Sequence, residues 1–186
     1  MIIKNELLKD ENCGIIVIDV QDKLFPVIQN KYKISDNIKK LLKFASIVEI
    51  PIILTEQNPK GLGATIREIK NLIPDVKPLE KYYFSCARDE NFLITIDKKE
   101  LKNLIVVGIE THICVNQTVT DLLSQGYLIH VLSDCVGSRS EFTHNTGLER
   151  MRTSGAVISN LEMFMYEFLK TSKHPKFKDF LNGIMK

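Results

Sequence analysis

NLIVVGIETHICV, residues 103–115, decides the fold. After Asn103 the run is continuously apolar and rich in Ile and Val, the pattern of a strand buried on both faces. The residues beyond it carry Val115, Val119, Leu122 and Leu123 at helical spacing, with Gly126 as the stop signal. The same alternation of apolar run and helical pattern extends in both directions. Further strands are expected at GIIVIDV (14–20), PIILT (51–55), near 78–82, at YLIHVL (127–132) and at AVIS (156–159). Six strands alternating with helices predict one α/β domain over residues 1–186, a Rossmann-like three-layer fold with a parallel six-stranded sheet covered by helices on both faces. The expected strand order is 3-2-1-4-5-6.

Among the helices, Ile34, Ile38, Leu41, Leu42, Ala45 and Val48 recur at helical spacing behind a Ser35 cap, and Pro51 marks the next boundary. Ser138-x-x-Glu141 and Ser159-x-x-Glu162 read as capping boxes for helices ending near Gly155 and Lys170. The tail HPKFKDFLNGIMK adds a short helix with Phe177, Phe180 and Leu181 on its apolar face.

The formal net charge of +2 is spread along 186 residues, and basic residues cluster only in pairs such as Lys39-Lys40 and Lys98-Lys99. Neither nucleic acid nor a membrane surface is implied as a partner. No apolar run approaches the about 20 residues of a membrane span. The start MIIKNELLKDEN has neither a signal-peptide core nor transit-peptide composition, so a cytoplasmic location is the expectation. The four cysteines, at 13, 86, 114 and 135, lack metal-ligand or CxxC spacing and fit reduced thiols, Cys13 and Cys135 as small packing residues. All four histidines lie at or beyond position 112, so the early strand ends cannot assemble a histidine-carboxylate zinc site.

Sites in such sheets form at the carboxyl ends of strands, where strand order reverses. Asp19 ends the first strand, Lys81 lies at the third in PLEKYYFS, and Cys114 follows the fourth. In the order 3-2-1-4-5-6 the first and fourth strands are neighbours, and Lys81 arrives from the third-strand edge. A thiol at a helix N-terminus meets unpaired N–H groups and the positive end of the dipole, so Cys114 is expected to carry a lowered pKa. With Asp19 as proton acceptor and Lys81 as cation, the three provide base, charge and nucleophile for attack on an acyl carbon. Each residue alone has a plainer reading, as a cap, a surface charge or a small buried hydrophobe.

These residues resemble the isochorismatase-like cysteine hydrolases, whose pattern is an Asp ending the first strand, a Lys before an aromatic-Ser turn and a Cys opening the helix after the fourth strand. The similarity runs on through LTEQNPKGLG (54–63), LLSQGYLIHVLSDCVGSRS (122–140), RMRTSGAVIS and HPKFK, and is strongest to the isochorismatase-domain-containing subgroup. The resemblance implies hydrolysis of an amide or related C–N bond in a small molecule, through an acyl-enzyme on Cys114. It implies an oxyanion hole from the backbone N–H groups of Glu110 and Cys114, a cis peptide between Ile109 and Glu110, and a homo-oligomer. Metal-dependent amidases of the superfamily carry Asp-x-His after the second strand. Here the sequence is Thr55-Glu56-Gln57-Asn58-Pro59, which argues for no metal and no cofactor.

Further candidates surround the triad. Gln21 shares strand parity with Asp19 and either orients that carboxylate, touches substrate or packs. Gln57, Phe25 and Phe84 are candidate substrate contacts, the two phenylalanines equally readable as core. His112 offers a competing Cys/His dyad, and Cys86 either a resolving thiol or a structural residue. Two rival functions follow: a thiol redox or peroxide sensor using Cys114, and a binding module without catalysis on the same fold. Some relatives carry ribonuclease labels, although this sequence lacks the basic, aromatic-interleaved surface such a role needs. The substrate's identity is not written in the sequence.

Overall fold

The computed structural model describes residues 7–8 and 11–185. Strands β1 (Cys13–Ile18), β2 (Ile52–Gln57), β3 (Leu79–Lys81), β4 (Asn103–Ile109), β5 (Leu128–Gly137) and β6 (Val157–Ser159) form one sheet in the order β3-β2-β1-β4-β5-β6. Every pairing is parallel. The helices are α1 (Lys31–Val48), α2 (Pro59–Leu62), α3 (Arg67–Lys70), α4 (Glu90–Lys98), α5 (Asn116–Ser124), α6 (Glu141–Thr153), α7 (Leu161–Leu169) and α8 (Phe177–Phe180).

Strand residues alternate between two cores because successive side chains leave a strand on opposite faces. Ile15, Val17, Ile105 and Val107 join α1, α3, α7 and α8 on one face. Ile16, Ile18, Leu104 and Val106 join α4, α5 and α6 on the other. Phe44 centres the first core, edge-to-face with Phe164, Phe168 and Phe180 at 5.8, 5.7 and 5.7 Å between ring centroids.

Local capping differs from the sequence reading in three places. Helix α1 starts a turn earlier, at Lys31 with Asn30 as cap, and Ser35 is a buried residue inside it. Ser140, not Ser138, caps α6 by accepting from the Thr143 N–H, while Ser138 turns its hydroxyl to His112. Asn160 caps α7 through the Met163 N–H, because Ser159 is still held in β6. At α6 and α7 a neighbouring polar residue with extended backbone angles took the cap, a choice that composition leaves open, whereas Asn30 precedes α1 in the left-handed region without a side-chain cap bond.

Two glycines bring the site's elements together. At Gly108 φ is +115°, and a Cβ there would lie 2.1 Å from the Ile18 carbonyl oxygen, so β4 can approach β1 this closely only without a side chain. Gly147 lets α6 rest on the start of the helix after β4, where a Cβ would meet His112 Cα at 3.0 Å.

Candidate active site

The carboxyl ends of β1, β3 and β4 carry Asp19, Lys81 and Cys114 inward. Strand β1 stops at Ile18 because Asp19 takes φ of +51°, the left-handed region, which turns the chain away from the sheet edge. Lys81 is the last residue of β3 and stands in register with Gln57 of β2. Cys114 lies in a π-helical turn, Thr111–Val115, that runs directly into α5. The Ile109–Glu110 peptide preceding this turn is cis.

All three side chains are buried, with exposures of 0 % for Asp19, 2 % for Lys81 and 5 % for Cys114. Lys81 Nζ donates to Asp19 Oδ2 at 2.6 Å and to Gln57 Oε1 at 2.9 Å. The carbonyls of Tyr83 and Phe84 lie 3.3 Å away, so four oxygens surround an ammonium with three protons. Burial opposes the ammonium charge, but the Asp19 carboxylate, by its charge and its hydrogen bond, outweighs it and holds the Lys81 pKa above its ordinary value. Asp19 Oδ1 accepts a second hydrogen bond, from Thr55 Oγ1 at 2.8 Å.

The expected low pKa of Cys114 is corrected. Burial, then the neighbouring Asp19 charge and a hydrogen bond to that carboxylate, push the thiol well above its ordinary value, and Lys81 offsets only part of this. A helix terminus lowers a thiol pKa only where the sulfur stays solvated, and here burial and the Asp19 charge act the other way. The surroundings thus favour the protonated thiol.

Of the three alternatives for Gln21, the structure gives packing against neighbouring backbone, its side chain bonding there and not to Asp19. The chain has left the strand at position 19, which breaks the parity on which the orienting alternative relied. Gln21 Nε2 donates to the carbonyls of Gln57 and Gly63 at 3.0 and 2.6 Å, and its Oε1 accepts the Gln57 N–H at 2.7 Å. Gln57, in turn, spends its amide on Lys81 and on the Tyr82 carbonyl at 2.9 Å. Both glutamines hold the Lys81 loop in place. Phe25 packs partly buried against the core, and Phe84 is 54 % exposed. His112 bonds through Nδ1 to Ser138 Oγ at 3.0 Å. Cys86 is fully buried beside the triad. Glu110 is buried, and its side chain forms an ion pair with Arg139 at 2.9 Å.

Thr55 escapes a reading of the chain because a threonine in a buried strand is ordinary. Its signal lay in register, since Thr55 of β2 pairs with Ile18 of β1 and so stands beside Asp19. A cavity of about 320 Å³ opens at the carboxyl end of β5, between α1 and α6, and is lined by Lys33, Ser138, His144 and Asn145 among others. None of Asp19, Lys81 or Cys114 lines it, so it is distinct from the reactive cluster. Among the described residues, no three His, Cys, Asp or Glu side chains meet as a metal site.

The sequence model of the isochorismatase domain matches residues 13–163. The chain belongs to the isochorismatase family. It is 36 % identical to isochorismatase family protein 1A of Dictyostelium discoideum over 89 % of this chain and 82 % of the relative. It is 35 % identical to isochorismatase domain-containing protein 2 of Xenopus laevis over 96 % of this chain and 86 % of that one. Among solved structures, the MAR1 ribonuclease of Caenorhabditis elegans superposes with a TM-score of 0.90 and 34 % identity, covering 97 % of this chain and 93 % of that one. The family and the fold agree with the resemblance read from the three strand-end residues.

Proposed function

We propose that this isochorismatase-family protein is a cysteine hydrolase that cleaves an amide or related C–N bond in a small molecule, with Cys114 as nucleophile, Asp19 as the proton-transferring base and Lys81 as a fixed cation. The observation that carries this reading is the buried cluster itself: a 2.6 Å Asp19–Lys81 ion pair, with Cys114 buried near enough for its thiol to feel both charges. Burying two charges is costly, and a well-packed apolar pair is often as stable, so such a cluster has a natural explanation in chemistry.

In the proposed sequence, Cys114 gives its proton to Asp19 and the thiolate attacks the acyl carbon. The oxyanion that forms is held by the N–H groups of Glu110 and Cys114; losing one such donor typically costs about 3 to 4 kcal/mol. Asp19 then returns the proton to the leaving nitrogen, and a thioester remains on Cys114. Water attacks it, Asp19 takes that proton, and the acid product leaves with the thiol restored. Lys81 keeps its charge throughout and balances the negative charge as it moves between carboxylate and sulfur.

The test is a screen of small amides, carbamoyl compounds and ureas with Cys114→Ala as the blank. Turnover by the wild-type protein and none by the variant supports the reading; equal turnover by both overturns it. RNA belongs in the same screen, because the C. elegans relative is named a ribonuclease. Cleavage of RNA that survives in Cys114→Ala would replace this reading with that one.

A further inference from the structure

The two carboxylate oxygens of Asp19 have different neighbours. Oδ2 carries the ion pair to Lys81. Oδ1 accepts from Thr55 Oγ1 at 2.8 Å. An ionised carboxylate only accepts, so the Thr55 hydroxyl proton points at Oδ1. The Thr55 oxygen is left as an acceptor, and the Cys86 thiol donates to it over 3.9 Å. Cys86 is itself fixed by its backbone N–H, which donates at 2.9 Å to Thr118 Oγ1, one helical turn beyond Cys114. Asp19, Cys86 and Thr118 are 0 % exposed and Thr55 is 1 % exposed, so water does not replace these contacts.

We infer that Thr55 is a positioning residue that holds Asp19 Oδ1 as the atom receiving the Cys114 proton, and that Cys86 is the fixed donor behind Thr55 and not a reactive thiol. This rests on the cysteine-hydrolase reading above. A proton placed on Oδ2 would face the Lys81 cation, whereas Oδ1 faces a neutral hydroxyl, so Oδ1 is the better acceptor. The step moves one proton from Sγ to Oδ1; a thiolate and a carboxylic acid result, and the charge of the pair is unchanged. The carboxylate torsion is soft and roughly two-fold, so without Thr55 only Lys81 sets the plane of the group. Burial pushes the Cys86 thiol up to about 11 although Lys81 opposes this, so Cys86 keeps the S–H that its place in the chain requires. The titratable groups facing Asp19 are Lys81 from β3, Cys86 from the turn after β3 and Cys114 from the turn after β4.

The experiment follows alkylation of Cys114 by iodoacetamide against pH, read by peptide mass spectrometry. The acidic limb of that profile marks the first deprotonation of the Cys114–Asp19 pair. Thr55→Val removes a hydrogen bond to the charged form, so the limb moves up by about one pH unit. Thr55→Ser restores the hydroxyl and returns the limb near its wild-type position. Cys86→Ala moves it up by less, and has no further effect in a Thr55→Val background, because Cys86 acts through Thr55. An unmoved limb in Thr55→Val, equal behaviour of the Ser and Val variants, or a further shift in the double variant overturns the inference. If Thr55→Val does not fold, Cys86→Ala alone decides by the direction of its shift. Asp19→Asn separates the two levels. A limb displaced in Asp19→Asn to the lone titration of the Cys114 thiol, with none of the expected shifts in the other variants, sinks only this inference; a limb unmoved in Asp19→Asn sinks the Cys114–Asp19 reading beneath it.

Discussion

Replacing Lys81 by Met keeps the length and apolar stem of the side chain and removes one charge. Asp19 then sits at 0 % exposure with its cation gone and Thr55 as its remaining side-chain donor apart from the Cys114 thiol. Breaking one side of a buried ion pair costs about 3 to 5 kcal/mol, because the other charge stays desolvated. For a chain of this size each kcal/mol moves Tm by about 2 to 4 °C, so Lys81→Met should melt about 6 to 20 °C below wild type at pH 7. Asp19 in the variant escapes by taking a proton. The folded variant then binds more protons than its unfolded chain above about pH 4, so its stability falls as pH rises. The deficit against wild type is therefore smallest near pH 4 and widens toward pH 7. Asp19→Asn/Lys81→Met removes the stranded charge and should recover most of the lost stability. Thermal melts of the three proteins at several pH values read this directly. A single variant as stable as wild type, or a double variant no better than the single, refutes the buried-pair reasoning.

Other consequences are as specific. Cys86 and Cys114 both have thiol pKa values raised above the unfolded value, so the stability they contribute is complete below about pH 8.5 and is lost as pH rises through their folded values. For Cys86, raised from 9.0 to about 11, the loss approaches about 3 kcal/mol, and Cys86→Ala should flatten the stability profile between pH 9 and 11 in denaturant titrations. Gly108→Ala places a methyl against the Ile18 carbonyl at a φ of +115° and should cost more than about 4 kcal/mol, seen as loss of soluble folded protein; a soluble variant with wild-type melting refutes the close-approach argument. Because Gln57 spends its amide on Lys81 and Tyr82, hydrolysis should survive exhaustive chelation, and elemental analysis should find no stoichiometric metal; a metal at unit occupancy near Gln57 contradicts this.

The sheet was legible because its signal is long-range and redundant. The apolar runs that become β1 and β4 can only be buried strands, and six such runs in alternation leave few topologies. That Asp19, Lys81 and Cys114 come together was legible for the same reason, since all three residues fall at strand ends. Short-range signals failed where a neighbour could substitute, as when Ser140 and Asn160 took caps assigned to Ser138 and Ser159. The direction of the Cys114 shift was not legible, because it depends first on how deeply the sulfur is buried and then on how the Asp19 and Lys81 charges are placed around it. Thr55 and the glutamine clamp were invisible for a related reason. Their roles arise only from register across β1, β2 and β3, which places Thr55 beside Ile18 and Gln57 beside Lys81.

The central claim is that Cys114 is the acyl-accepting nucleophile and Asp19 its base. The most direct measurement mixes the protein with p-nitrophenyl acetate, quenches in acid and maps the acetyl adduct by peptide mass spectrometry. The account predicts acetyl on Cys114 in the wild-type protein, none at any site in Cys114→Ala, and strongly slowed labelling in Asp19→Asn. Acetyl found on another residue at wild-type rate in Cys114→Ala, or labelling of Cys114 unchanged by Asp19→Asn, would contradict it.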